Sequence, residues 1–381
     1  MVKRITPQHS ANPAVAGPRF QPNRITAAML ASLGVLPSWA MADANNITLH
    51  NGNFGAGIGA VTGMTTATTI TTTNATTTDI TTATVRGNTG FNSFGQFVVG
   101  SGNTVNLHVP NGAGNLVNLV HDAKAQINGT LNGISDGKVG GNIIFADPHG
   151  LVVGASGVVN VGSLTVTTPS AAQMQNLATI AHQGSVAETT DAVTALKTGS
   201  YNGSADGEVK VQGKVNTAGS INLFAASAVV ASGASLQAGT SAAETVFVNT
   251  VNLQGVSIGT GIDQADGSVK IVGKNGVEIS GELAALMADN SGGRVQIASG
   301  DTVNLKSGAL VNTSGNAGKD AGAVIVEAPH INMASGSKIS TTASGAGKAG
   351  DITLQALSDI SCTFCGDDNT TAANLADLPT T

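Results

Sequence analysis

Four stretches of one segment decide the fold: residues 105–112 (VNLHVPNG), 125–131 (AQINGTL), 144–154 (IFADPHGLVVG) and 159–164 (VNVGSL). Each stretch holds a short run rich in Val, Ile and Leu, and each run stops at Gly, Asn, Asp or Pro. Such punctuation is typical of short strands that are joined by tight turns. The segment from Phe91 to Pro169 is therefore predicted to form many short strands in close succession.

The composition favours a thin, repetitive interior over a large compact core. The chain has 381 residues, a net charge of −6, 10% charged residues and 3% aromatic residues, with 50 glycines. Ordinary globular domains carry about a quarter charged residues. A stacked solenoid needs only small and β-branched side chains in its repeating interior. The mildly acidic balance, without a basic patch beyond the N-terminus, makes nucleic acid an unexpected partner.

Internal repeats in the second half of the chain predict how the strands are arranged. Units of the form Gly-x-Val-x-Val begin at Gly293, Gly322 and Gly350, at a nearly constant spacing, and residues 206–214 match residues 266–274. Repeats with a period of about 20 to 30 residues mark a parallel β-helix. We therefore predict an all-β chain that folds as a right-handed parallel β-helix. Residues on the inward side of the strands should stack on the next coil, as we expect for Val209, Val211, Val295 and Ile297.

Two other segments carry their own signals. Residues 46–50 and the threonine tract 65–85 are predicted to form strands that cover the N-terminal end. The reason for the tract is that threonine favours a pleated surface. The alternative for residues 65–85 is a disordered polar tract. Residues 170–200 predict a helical side insertion, with Ser170 and Thr189 as N-caps. Its apolar face should include Met174, Leu177 and Ala178 in the first helix, and Val193 and Leu196 in the second.

The N-terminus predicts export. Basic residues at Lys3, Arg4, Arg19 and Arg24 precede an apolar run over residues 25–39, and Ala40-Met41-Ala42 supplies small residues for cleavage. This is the pattern of a secretory signal peptide over residues 1–42. The run is shorter than the about 20 residues that span a bilayer. No stable membrane insertion is expected for the mature chain.

The order of the pieces between Phe91 and Thr168 resembles the secretion domain of two-partner-secretion exoproteins. This is the haemagglutination-activity domain of filamentous-haemagglutinin-like adhesins, including the leukotoxin-like filamentous adhesin group. The hallmark Asn-Pro-Asn-Gly-Ile turn of that family stands here as Asp147-Pro148-His149-Gly150-Leu151. The resemblance implies recognition by an outer-membrane transporter. The residues that it assigns to this role are Asn92, Phe94, Phe97, Asn128, Gly129, Asp147, Pro148, His149, Gly150, Gly154 and Gly162.

The resemblance also implies a division of the chain into a signal peptide (1–42), a secretion domain (43–169), a helical insertion (170–200), repeats (201–361) and a tail (362–381). In the tail, Cys362 and Cys365 predict a local disulfide. The alternatives are a surface anchor, as in some large adhesins of the family, and a redox site, for which no thioredoxin-like context is visible.

Signals for catalysis and metal binding are weak. Asp147 and His149 could form a general acid–base pair, but Asp, Pro and Gly at these spacings favour a plain turn. The seven histidines have no metal-ligand spacing, and the repeat of calcium-binding β-rolls is absent. We therefore expect no cofactor, no metal and no catalytic residue.

Three functions compete at this point. The favoured one is a secreted, non-enzymatic adhesin or biofilm-matrix protein, which leaves a Gram-negative cell through its transporter and binds extracellular polysaccharide or a host or cell surface. The second is a β-helical enzyme that degrades polysaccharide, and the third is a truncated, inert exoprotein.

Overall fold

The computed structural model describes residues 43–50, 66–239, 267–287 and 289–363. The predicted signal peptide (1–42) and Cys365 lie outside these ranges. The first half contains β1 (Asn46–Leu49), β2 (Thr68–Asn74), β3 (Thr77–Thr82), β4 (Val85–Arg86), β5 (Thr89–Val99), β6 (Thr104–His108), β7 (Asn115–Val120), β8 (Ala125–Ile127), β9 (Thr130–Ser135), β10 (Lys138–Val139), β11 (Asn142–Ala146), β12 (Gly150–Val153), β13 (Val158–Val161) and β14 (Ser163–Thr167).

Two helices follow within the described residues, α1 (Ala171–Gln183) and α2 (Val186–Thr198). The second half contains β15 (Glu208–Val211), β16 (Lys214–Thr217), β17 (Ile221–Val230), β18 (Ser235–Ala238), β19 (Ser268–Ile279), β20 (Glu282–Ala285), β21 (Arg294–Ser299), β22 (Thr302–Leu305), β23 (Leu310–Asn312), β24 (Val324–Met333), β25 (Lys338–Ser340) and β26 (Ile352–Cys362). In the part of the chain that the structure describes, no helix is long and apolar enough to cross a membrane.

The strands form two sheets, a large sheet of 15 strands and a small sheet of 11 strands. Within the described residues, the chain runs through the large sheet, crosses to the small sheet and returns to the large one. We use the word coil for one such passage. From β6 onward, successive coils pair in parallel, apart from the short antiparallel β9–β10 hairpin. The prediction of an all-β chain with parallel strands is confirmed.

Buried aliphatic side chains stack in rows from coil to coil. One row of the large sheet joins Leu116, Ile143, Leu164, Ile221, Val269, Val295 and Val324. A second row of that sheet joins Ile127, Val153, Val211, Val230, Ile279 and Leu305. The small sheet contributes Leu131, Val159, Val215, Leu236, Leu283 and Val311. All of these side chains are fully or almost fully buried, as are the predicted inward residues Val209 and Ile297.

The nearly constant spacing of the Gly-x-Val-x-Val units corresponds to neighbouring coils. Val295 pairs with Val324, and Val324 pairs with Ile352. The longer repeat does not correspond to neighbouring strands. Val209 pairs with Ala228, two residues before the Val211–Val230 pair of the second row, whereas Val269 pairs with Ile221 in the first row. Val209 and Val269, which hold equivalent places in the two similar segments, therefore occupy different positions in the coil.

The N-terminal end departs from the parallel arrangement. The threonine tract forms strands, as predicted, but β2 and β3 pair antiparallel, and β1 and β4 pair antiparallel with β5. The predicted parallel arrangement therefore does not extend to β1, β2 and β4. The physical reason is local: only two residues separate β2 from β3, a connection that suits antiparallel strands and is too short for a parallel crossover. Within that connection, the Asn74 side chain accepts a hydrogen bond from Thr76 N at 3.0 Å.

The helices cover the outer face of the large sheet. Met174, Leu177 and Ala178 of α1 and Val193 and Leu196 of α2 are buried, as predicted. They pack against Phe91, Val117, Leu119, Ile144 and Ala146, which point away from the interior of the coils. This covering explains why β7 and β11 are apolar on both faces.

Both helices begin with a capping box. Ser170 caps α1 with Gln173, which confirms the predicted N-cap. Ser185, and not Thr189, caps α2 with Glu188. Thr189 lies inside the first turn, where its hydroxyl donates to the carbonyl oxygen of Ser185 at 2.9 Å. The helix begins earlier because the Ser-x-x-Glu pattern satisfies two backbone groups at once.

Candidate functional site

The turn from Asp147 to Gly150 joins β11 to β12, two strands of the large sheet. Gly150 N donates to Asp147 O at 3.0 Å, which closes the turn. Gly150 has φ +97°, and a Cβ atom there would lie 1.8 Å from Glu208 O in the next coil. Only glycine satisfies both conditions. The sequence prediction of a tight turn is therefore confirmed.

The Asp147 side chain organises this turn from inside. It is fully buried, and it accepts hydrogen bonds from Ala125 N and from His149 N, both at 2.8 Å. Burial raises the pKa of Asp147, and the hydrogen bonds from His149 and Ala125 oppose that rise. The carboxylate thus joins its own turn to β8 of the preceding coil.

His149 lies at the surface of the same turn, half-exposed, with Nδ1 3.3 Å from Asp147 Oδ1. The hydrogen bond with Asp147 raises the pKa of His149. Lys124, beside β8 in the preceding coil, and Glu208, in β15 of the following coil, form an ion pair at 2.8 Å across this turn. The His149 ring faces the Asp147 carboxylate, and this carboxylate already accepts hydrogen bonds from two backbone N–H groups. The pair therefore stabilises the turn.

A second histidine cluster, which the sequence reasoning missed, lies where β1 joins the first coils. The rings of His50 and His121 stack with their centroids 4.0 Å apart, and His121 Nε2 lies 3.0 Å from Ser93 Oγ. Burial, and secondarily the His50 charge, lower the pKa of His121 to about 3. Asp122 lies 3.7 Å from His50 Nδ1. No short-range pattern reveals this cluster, because His50 follows β1, His121 and Asp122 follow β7, and Ser93 lies within β5.

Three phenylalanines fill the interior of the first coils. Phe94 and Phe97 meet edge to face with centroids 5.1 Å apart, and Phe97 meets Phe145 in the same way at 5.2 Å. All three are fully buried. Edge-to-face pairs add about 0.5–1.5 kcal/mol beyond the burial of their area. Phe94 and Phe97 therefore act in the fold as core anchors.

Asn92 is buried in the same interior and forms a polar connection between three strands. Its side chain accepts a hydrogen bond from Thr68 Oγ1 at 2.8 Å and donates one to Asn118 Oδ1 at 3.0 Å. Thr68 belongs to the antiparallel hairpin at the N-terminal end. The Asn92 amide thus fixes that hairpin to the coils, and its buried polar atoms are satisfied.

The remaining family-motif residues lie at the turns, where coils pass closest to one another. A Cβ atom at Gly129 would lie 2.3 Å from Gly100 O, and one at Gly162 would lie 2.6 Å from backbone atoms of Gly141. A Cβ atom at Gly154 would lie 2.2 Å from Asn128 Oδ1. These glycines therefore allow one coil to approach the next. The structure does not bring all the motif residues to one place: it divides them between the interior and the stacked turns.

A ladder of asparagines runs along the small sheet. Asn106, Asn132, Asn160 and Asn216 occupy equivalent positions in successive coils, and each Nδ2 donates to the side-chain oxygen of the preceding residue at 3.0 Å. The first acceptor is Asp79, which also accepts from His108 Nε2 at 2.8 Å. Burial alone would raise the pKa of Asp79, but the hydrogen bonds from His108, Thr73 and Asn106 outweigh it and lower that pKa. In the sequence, the ladder corresponds to the Val-Asn and Leu-Asn pairs that recur in β6, β9, β13 and β16.

The described ranges contain no group of three or more His, Cys, Asp or Glu side chains arranged to hold a metal ion. Cys362 ends β26 and takes part in a disulfide bond, and Cys365, the other cysteine of the chain, lies outside those ranges.

The chain was compared with known proteins. No curated protein matches it. The model of the TPS secretion domain family matches residues 57–326, a range that includes the Asp147 turn, both helices and most of the second-half coils. Exoproteins of this kind leave Gram-negative cells through a dedicated outer-membrane transporter. The chain therefore belongs to the TPS secretion domain family, the exoproteins of two-partner secretion.

Proposed function

We propose that this chain is a secreted, non-enzymatic adhesin or biofilm-matrix protein whose coils form a right-handed parallel β-helix. The observation that carries the proposal is the stack of parallel coils, with short turns and few charges. Such a stack offers long, flat faces for attachment and few places to build a catalytic pocket. The β2 strand illustrates the surface chemistry, because its exposed residues are almost all threonine, and hydroxyl groups can hydrogen-bond to sugars.

The second part of the proposal is that the transporter reads the family motif before the chain folds. Asn92, Phe94, Phe97 and Asp147 are fully buried once the coils have formed. A folded domain therefore cannot present these side chains to a transporter. An extended chain can present them, together with Asn128, Gly129, Pro148, His149, Gly150, Gly154 and Gly162. Folding outside the cell then hides the signal and favours one direction of transport.

The test is a triple variant, Asp147→Ala with Pro148→Ala and Gly150→Ala, expressed together with its transporter. We expect this variant to stay in the periplasm. Because the three changes also weaken the fold, the matched control is Val295→Asp, which disrupts a fully buried position of the later coils but leaves the motif intact. The control should reach the outside of the cell in a protease-sensitive form. Normal amounts of the triple variant in the medium would refute recognition through this turn.

Attachment is tested separately with purified residues 43–381. We expect retention on extracellular polysaccharide or on host or cell surfaces, and no release of reducing or unsaturated ends from polysaccharides. Steady turnover that disappears when one Asp or Glu is changed to Ala would favour the polysaccharide-degrading enzyme. Export without retention on any of these surfaces would contradict the adhesin.

A further inference from the structure

A groove of about 530 Å³ lies between α1 and α2. One wall is the face of α1 between Asn176 and Gln183, and the other wall is the face of α2 between Glu188 and Ala195. Along each wall the lining positions follow the spacing i, i+3, i+4 and i+7, which puts them on one face of the helix. Sites that bind small molecules hold about 300–1,000 Å³, so the groove is large enough for a ligand. None of the family-motif residues described above lines it.

Small side chains and one aromatic ring give the groove its shape. On the α2 wall, Ala192 and Ala195 present only methyl groups, which leaves space between the two helices. Tyr201 follows α2, and its half-buried ring packs against the apolar cluster that joins the helices to the large sheet. The Tyr201 hydroxyl donates a hydrogen bond to Asn176 Oδ1, which holds the ring at the groove. Such a ring offers an apolar surface to the C–H face of a sugar, and its π-electrons attract a cation.

The charged side chains of the groove are acidic. Glu188 Oε2 accepts hydrogen bonds from Ser185 N and Ser185 Oγ, both at 2.8 Å, and these bonds lower the pKa of Glu188. Asp191 lies one turn further along α2; it is exposed, and its carboxylate forms no hydrogen bond or ion pair with the described residues. The described residues that line the groove include no Lys or Arg. A ligand that has both hydroxyl groups and positive charge therefore matches this lining better than a neutral or anionic sugar.

From this lining we propose that the groove binds a polysaccharide whose sugars carry free amino groups, such as a chain of glucosamine units. Ammonium groups of the sugar lie against Glu188 and Asp191, and the C–H face of one ring lies against Tyr201. The Gln183 amide, on the opposite wall, supplies a donor and an acceptor for sugar hydroxyl groups. The inference rests on the proposed adhesin, because it names the class of extracellular polysaccharide that the chain retains.

Tyr201 makes binding in the groove directly observable. The chain contains one tyrosine, Tyr201, and one tryptophan, Trp39, which lies in the predicted signal peptide. In purified residues 43–381, tyrosine emission therefore reports on the groove. The probe is a glucosamine tetramer, titrated at about pH 6, at which exposed carboxylates are ionised. We expect a saturable change in emission. The tetramer of N-acetylglucosamine, which has the same rings without positive charge, should bind at least about tenfold more weakly.

Two substitutions connect the signal to the groove. Thr179→Lys places an ammonium group opposite the two carboxylates and should weaken binding of the glucosamine tetramer at least about tenfold. The matched control is Thr194→Lys on α2, outside this groove, because each of these threonines donates to the carbonyl oxygen four residues earlier at 2.9 Å. Asp191→Asn should weaken binding about threefold, the size expected for an exposed ion pair. Asp206→Asn, at an exposed carboxylate elsewhere, should not.

The outcomes separate this inference from the proposed adhesin. If surfaces or polysaccharides retain the chain but the glucosamine tetramer does not bind, the inference about the groove is overturned and the adhesin is not. If the tetramer binds but no surface retains the chain, the adhesin is overturned and the groove is not. Spermidine carries positive charge without a sugar ring, and binding as tight as that of the tetramer would overturn sugar recognition. Equal affinity of wild type and Thr179→Lys for the tetramer would also overturn the proposal.

Discussion

His121 should make the folded chain sensitive to acid. Its pKa is lowered from 6.5 to about 3 because the ring is buried and lies against His50. In the unfolded chain the imidazole binds a proton near pH 6.5, whereas in the folded chain it stays neutral down to about pH 3. The unfolded state therefore binds more protons in this window. The stability that His121 contributes is complete above pH 6.5 and is lost as the pH falls toward about 3.

The size of this loss follows from the two pKa values. Each pH unit between them corresponds to about 1.4 kcal/mol in the free energy of unfolding. Between pH 7.0 and pH 4.5 the His121 contribution should therefore fall by about 2.5 kcal/mol, a large fraction of the stability of an ordinary domain. Asp147 acts in the opposite direction, because its raised pKa means that acid protonates the folded state first. A variant that removes only the titration of residue 121 separates these effects.

The assay is urea unfolding, followed by circular dichroism, at pH 7.0 and pH 4.5. His121→Phe keeps an aromatic ring against His50 but cannot take up a proton. Its loss of the Ser93 contact changes the stability equally at both pH values, so it cancels in the difference. We expect wild type to lose about 2.5 kcal/mol more than His121→Phe on acidification. The control, His182→Phe on the exposed end of α1, should behave as wild type. If wild type and His121→Phe lost the same free energy of unfolding between pH 7.0 and pH 4.5, the reasoning would be refuted.

Four further substitutions, with Leu357→Ala as a control, test the packing. Phe97→Ala should lower the free energy of unfolding in urea by about 3–5 kcal/mol, because it empties a fully buried aromatic site. The control, Leu357→Ala at an exposed position of β26, should stay within about 0.5 kcal/mol of wild type. Gly150→Ala should lower the free energy of unfolding by at least about 2 kcal/mol, because φ is positive and the added methyl group meets a backbone oxygen. An unchanged midpoint of urea unfolding would contradict the close approach of Gly150 to Glu208 O. Asn160→Ala should cost about 1–3 kcal/mol, because it leaves buried amide groups on both sides without partners. Leu177→Asp should increase hydrogen exchange in β7 and β11 before it does so in β21 and β24, and uniform exchange would show that α1 does not protect these strands.

The sequence alone determined the local elements. Val295 and Ile297 alternate with polar residues in β21, and Gly, Asn and Asp stop the strands, so strand content and turn positions followed from short-range chemistry. The regular recurrence of the Gly-x-Val-x-Val units also identified true neighbours, because each of these coils has nearly the same length. Ser170 and Gln173 likewise marked the start of α1, since a capping box is a local hydrogen-bond pattern.

The tertiary structure alone decided which similar segments become neighbours and which faces are covered. Val209 and Val269 hold equivalent places in two similar stretches of sequence, yet they lie in different rows of the large sheet, because strand register is set by tertiary packing and not by local similarity. The outer face of β11 is apolar because α1 and α2, which come later in the chain, fold back over it. Nothing within the strand indicates this partner.

The tertiary structure also decided the contacts and the pKa values of individual side chains. The sequence identified the Asp147 turn, but not that its carboxylate would be buried and bonded to Ala125 N in the preceding coil. It held no sign of the His50–His121 pair, whose members lie far apart in the chain and meet through the antiparallel docking of β1 on β5. A pKa depends on burial and on the charges nearby, and both are set when coils that are distant in sequence pack together.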